Sequence, residues 1–200
     1  MKKLVIDLGH GGYDPGAVGK GGTKESDVVL KIGKYLESML KEVDLDVRFT
    51  RMSDKYVSLG DRVEFANNFG ADYFLSIHVN SASDSSVRGV EVWQYNNDDK
   101  YLNEFCSSLC NEISGIFNIR NRGVKLSKGL YVLKNTSMKA ALLEVDFISN
   151  NYLVSINSVY FTILLGIGTF LFVFLTLVNR KVKYIKFLTK EVKRIKDDGF

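Results

Sequence analysis

From Asn151 to Val178 the sequence holds no charged residue. Its densest part, VYFTILLGIGTFLFVFLTLV (159–178), is twenty residues long. At about 1.5 Å per helical residue this matches the ~30 Å hydrocarbon core of a bilayer. A helix buried in a small globular domain rarely runs that far without a charge, so the expectation is a transmembrane helix. The chain then divides into 1–150, a spanning segment 151–179 and a basic juxtamembrane helix 180–200. Residues 180–198 carry eight Lys/Arg against three acids, a local +5 within a net charge of +4, so the remainder is close to neutral. The positive-inside rule puts this tail in the cytoplasm and residues 1–150 outside. Basic residues beside an apolar span attract anionic lipid, which accounts for them better than nucleic-acid binding does. At the other end, the apolar run after Met1-Lys2-Lys3 stops at Asp7, too short for a signal peptide.

Residues 1–150 alternate between two periodicities. KLVIDLGH, DVRFTR, ADYFLSIHVN, GVEVWQY, GLYVLKN and AALLEVDFISN read as six strands. ESDVVLKIGKYLESMLKEV, LGDRVEFANNFG and KYLNEFCSSLCNEISGIF carry apolar residues at helical spacing. Such alternation predicts an α/β fold: an open, mostly parallel six-stranded sheet with helices on both faces. Cys106 and Cys110 lie one helical turn apart, poorly placed for a disulfide, and are expected as small buried residues.

The chain has two histidines, and both close strand-like runs. His10 follows LVIDLG into a glycine-filled loop, and His78 ends LSIHVN. In open α/β sheets functional groups gather beyond the carboxyl ends of the strands, where Glu25 also opens the first helix. Two imidazoles and a carboxylate with an open fourth position make a catalytic zinc set. Taken singly, each has a plainer role: a hydrogen-bonded histidine, or an acid at a helix start with Thr23 as N-cap. Glu144 interrupts the apolar run Ala140-Ala141-Leu142-Leu143, where an unpaired carboxylate is costly. Near a zinc site it would serve as the general base and acid.

The ordered segments VIDLGHGGYDPGA, TKE, FTR, LGDRVEFAN, SIHVNS, GVEVW and LLEVDFISN resemble the zinc-dependent N-acetylmuramoyl-L-alanine amidases of the Amidase_3 type, over residues 2–150. The resemblance implies that His10, Glu25 and His78 bind Zn2+ and that Glu144 is catalytic. It also implies hydrolysis, in peptidoglycan, of the amide joining N-acetylmuramic acid to L-alanine. Asn80, Arg51 and Arg62 are candidate substrate contacts, the arginines having structural ion pairing as their alternative. A non-catalytic, membrane-anchored muropeptide sensor is the competing function. The catalytic domain is expected to face the cell wall from a membrane anchor, or else to stay in the cytoplasm until lysis.

Two departures from the family pattern stand out. Asp146 replaces a glycine, and strand periodicity would set it beside Glu144, where like charge raises a carboxyl pKa. The tail FLTLVNRKVKYIKFLTKEVKRIKDD instead resembles, over a short stretch, the transmembrane and linker region of a sensor histidine kinase. Val182, Ile185, Leu188, Val192 and Ile195 keep a spacing suited to helix pairing.

Overall fold

Alternation along β1 (Lys2–Leu8) sends Leu4, Ile6 and Leu8 to one side of a sheet and Val5 to the other, and all four are buried. The computed structural model describes residues 1–41 and 44–150. The spanning helix, the basic helix and the kinase-like tail therefore lie outside the described residues. Among the described residues, no helix is long and apolar enough to cross a membrane.

The elements that follow are α1 (Glu25–Leu40), β2 (Leu45–Phe49), α2 (Leu59–Phe69), β3 (Tyr73–Asn80) and β4 (Val90–Gln94). After them come α3 (Lys100–Phe117), β5 (Asn121–Leu126), α4 (Tyr131–Asn135) and β6 (Lys139–Phe147). The strands form one six-stranded sheet in the order β2-β1-β3-β6-β4-β5. Every neighbouring pair is parallel except β4 with β6. Helices cover both faces. Val28, Ile32 and Leu36 of α1 and Leu109 and Ile113 of α3 pack with Leu4, Ile6, Leu75 and Ile77. On the opposite face Val63 of α2 and Val132 and Leu133 of α4 pack with Val5, Phe74, Ala140 and Leu142. Cys106 and Cys110 are free and buried in the first of these layers, as expected.

Two expectations fail locally. GLYVLKN is not a strand: Tyr131–Asn135 forms α4, whose adjacent Val132 and Leu133 are both buried against one core layer. Two adjacent apolar residues on one side suit a helical turn, whereas a strand would send them to opposite faces. The sixth strand is instead β5, NRGVKL, an edge strand with no fully buried residue and therefore no apolar signature. Thr23 does not cap α1; Lys24 holds that position, without a side-chain cap.

Candidate functional site

The carboxyl end of β1 runs directly into a loop bent by backbone geometry. His10 adopts φ 58°, the left-handed region that costs a non-glycine residue energy. Two buried arginines hold the bend. Arg51 donates from Nε to the Leu8 carbonyl (2.9 Å) and from Nη2 to those of Gly9 (2.7 Å) and Ser26 (2.9 Å). Arg62 donates to Asp7 Oδ1 (2.6 Å), the Leu8 carbonyl (2.6 Å) and the His10 carbonyl (2.9 Å). Asp7, itself buried, also accepts from Thr50 and Ser76. Both guanidinium groups are thus committed inside the protein, at 1% and 2% exposure. Arg51 and Arg62 brace the histidine loop from within the protein. Arg62 forms a buried ion pair with Asp7, whereas Arg51 is satisfied by backbone carbonyls.

The bend brings His10 to His78 and Glu25. The two rings meet edge to face with centroids 4.9 Å apart. Glu25 Oε1 lies 3.2 Å from His10 Nε2 and 2.9 Å from His78 Nδ1, and accepts the Val79 N–H at 3.0 Å. Its Oε2 accepts the Ala17 N–H at 2.9 Å. One ligand atom from each of the three residues lies within 4.8 Å of the others. Glycines make room: a Cβ on Gly16 would stand 2.6 Å from the His10 ring and 2.7 Å from Glu25 Oε2, and one on Gly9 would collide with the His78 ring.

Asp14, absent from the sequence reading, completes this group. Its Oδ2 stands 2.9 Å from His10 Nδ1, an acceptor placed to hold a proton on that nitrogen when Nε2 binds a metal. An acid four residues beyond the histidine, inside a glycine-rich loop, was the available signal. Burial opposes charge on both His10 and Glu25. Even so, hydrogen bonds with Glu25 and Asp14 raise the His10 pKa, and those from His10 and His78 hold Glu25 well below the usual carboxylate range. The cluster therefore gathers two imidazoles and an ionised carboxylate at one point. Two imidazoles and a carboxylate, with the second nitrogen of His10 held by another carboxylate, are a donor set that fits a borderline cation such as zinc.

Glu144 stands directly across from His78 in the β3–β6 pairing, and Glu91 across from Glu144 in the β4–β6 pairing. Burial pushes the Glu144 pKa well above its ordinary value, and the charges of Glu25 and Glu91 push the same way. Its Oε2 is buried with no hydrogen-bond partner among the described residues. Asp146 does not join it. The β3–β6 register shifts between His78 and Asn80, opposite residues 144–147, and breaks the expected alternation. Asp146 instead accepts from Arg88 (2.9 and 3.1 Å) and from the Gly89 N–H (2.7 Å). Asn80 is also taken up: its amide donates to Glu91 Oε1 at 2.9 Å and its carbonyl accepts the Ser81 N–H. Asn80 thus links the end of the histidine strand to Glu91.

The N-acetylmuramoyl-L-alanine amidase family (Amidase_3) matches residues 4–155. A sporulation-specific N-acetylmuramoyl-L-alanine amidase of Bacillus subtilis is 39% identical over 150 residues, 74% of this chain and 57% of that protein. The endolysin of Bacillus phage SPP1 is 38% identical over 161 residues, covering 75% of this chain and 56% of its own length. This chain thus spans little more than half of either relative. The catalytic domain of CwlV, an N-acetylmuramoyl-L-alanine amidase from Bacillus (Paenibacillus) polymyxa var. colistinus, superposes with a TM-score of 0.74 at 33% identity. That match covers 86% of this chain and 98% of the CwlV domain.

Proposed function

The chain belongs to the N-acetylmuramoyl-L-alanine amidase family, and from that premise we propose that it hydrolyses the amide between N-acetylmuramic acid and L-alanine in peptidoglycan. The observation that carries this is the convergence of His10, Glu25 and His78 beside an unpartnered, buried Glu144. In this reading the three converging residues hold zinc. When bound there, zinc supplies Lewis-acid polarisation of the amide carbonyl and acidifies water. Asp14 fixes the His10 tautomer, and the Ala17 and Val79 N–H groups hold the Glu25 carboxylate in position. Glu144 takes a proton from the attacking water and delivers it to the departing alanine amine. A carboxyl whose proton affinity is raised by burial suits both halves of that transfer. A muropeptide sensor would gain nothing from such a group, since binding alone does not need one.

The test is the rate at which the full chain releases new amino groups from purified peptidoglycan in zinc, with chelator, and as Glu144→Gln. Release abolished by chelator and by the substitution is the expected result. A folded, zinc-loaded chain that releases none would favour the sensor.

The same reading extends to the tail. Residues 159–178 cross a membrane, the basic cluster 180–198 lies on anionic lipid at the cytoplasmic side, and residues 1–150 act as a separate domain facing the wall. Support comes from the charge-free run and the abrupt basic cluster behind it. Alkaline carbonate extraction of cell membranes should leave the chain in the pellet, with residues 1–150 digested by protease added outside. Recovery in the soluble fraction would instead fit a cytoplasmic protein released at lysis, like a phage endolysin.

A further inference from the structure

Beyond Glu144 the site continues as a row across the sheet. His78 of β3 faces Glu144 of β6, which faces Glu91 of β4. Directly opposed residues share a face. Glu91 is 2% exposed and saturated: Asn80 (2.9 Å) and the Trp93 indole N–H (3.1 Å) donate to Oε1, and Arg122 (2.8 Å) and Lys125 (2.5 Å) to Oε2. One carboxylate thus meets two cations, leaving the end of the row with a net positive charge.

Both cations are set in place. The guanidinium of Arg122 lies over the Phe147 ring, 4.9 Å from its centroid, and the Arg122 stem fills the space that a side chain at Gly89 would occupy. Lys125 lies 5.1 Å from the Trp93 ring centroid. Only the Nε of Arg122 is used on Glu91, and the two side chains remain 26% and 32% exposed. Preorganised cations that stay part-exposed, one end of a row whose other end is the reacting centre, form an anion-binding feature.

Resting on the amidase reading, we propose that Arg122 and Lys125 bind a free carboxylate on the second residue of the stem peptide. The peptide then runs from Glu144 toward β5, and the glycan leaves on the opposite side. The spacing agrees. Strands lie about 4.8 Å apart, so Glu91 on β4, where both cations meet, is roughly 10 Å from His78 on β3. Two extended residues reach about 7 Å beyond the scissile carbonyl, and a charge-assisted hydrogen bond adds about 2.8 Å.

The test compares N-acetylmuramoyl-L-alanyl-D-glutamate with the same compound carrying an α-carboxamide, as substrates of the zinc-loaded full chain. Binding of the two released dipeptides is measured in parallel by calorimetry. The change lies in the ligand, so the unaltered protein reads it without any folding risk. The acid should be preferred about tenfold in kcat/KM and in binding, and the ratio should fall toward one in Arg122→Gln and Lys125→Met. Equal handling of acid and amide by the unaltered chain would overturn the subsite. So would a preference that survives in both variants. If neither compound is cleaved but the acid dipeptide still binds better through Arg122 and Lys125, the subsite stands and the amidase reading falls.

Discussion

Asp14 and Glu144 do opposite things to the two halves of the site. Asp14 sets the His10 ring from outside the donor set, so Asp14→Asn should weaken zinc binding about 10–100-fold without disturbing the fold. Competition with a chromophoric chelator measures this, and unchanged affinity would remove Asp14 from the site. Glu144 carries a cost. A carboxyl whose folded pKa is raised favours the fold while protonated, and that contribution is lost as pH rises through the folded value. Glu144→Gln should therefore melt higher than the unaltered chain in chelator at pH 8, while losing about 10²–10⁴-fold in activity. A lower melting temperature would mean that the Glu144 charge is compensated in the fold. The rarity of histidine made His10 and His78 legible. The arginines were not, because nothing in a sequence separates an arginine that braces a loop from one that faces substrate.

At the scale of elements, legibility followed apolar periodicity. β1, β3, β6, α1 and α3 carry strong apolar patterns and lie where the sequence puts them, with α1 ending at Leu40. β5 escaped because an edge strand needs little apolar surface, and its Arg122 and Lys125 are the charges that blunt such an edge. The shift opposite Asp146 was equally hidden, since a bulge changes facing without changing composition. Caps offer a direct check. The Asp99 side chain accepts the Leu102 N–H at 2.8 Å at the start of α3. Asp99→Ala should cost about 1 kcal/mol in urea unfolding, with its exposed ion pair to Lys139 adding little. No measurable loss would mean that α3 is held by its buried face alone.

For the whole molecule, sheet and site are one construction: His78 on β3, Glu144 on β6, Glu91 on β4 and the cations Arg122 and Lys125 on β5 stand on four successive strands. Carboxyls outside the metal cluster also set the acid response. A hydrogen bond from Lys2 lowers Asp72 and one from Lys139 lowers Asp99; for Glu91, burial opposes the shift but Lys125 and Arg122 outweigh it. Such groups contribute stability above their unfolded pKa and lose it as pH falls through the folded one. The urea midpoint of the zinc-free chain should accordingly fall from about pH 5 to pH 3, and a level midpoint would contradict these pairings. The most direct measurement of the central claim is mass spectrometry of what the chain releases from purified peptidoglycan. Glycan strands stripped of stem peptides and peptides beginning with free L-alanine are the expected products. Peptides still attached to N-acetylmuramic acid, with cuts in the glycan or the cross-bridges, would contradict that claim.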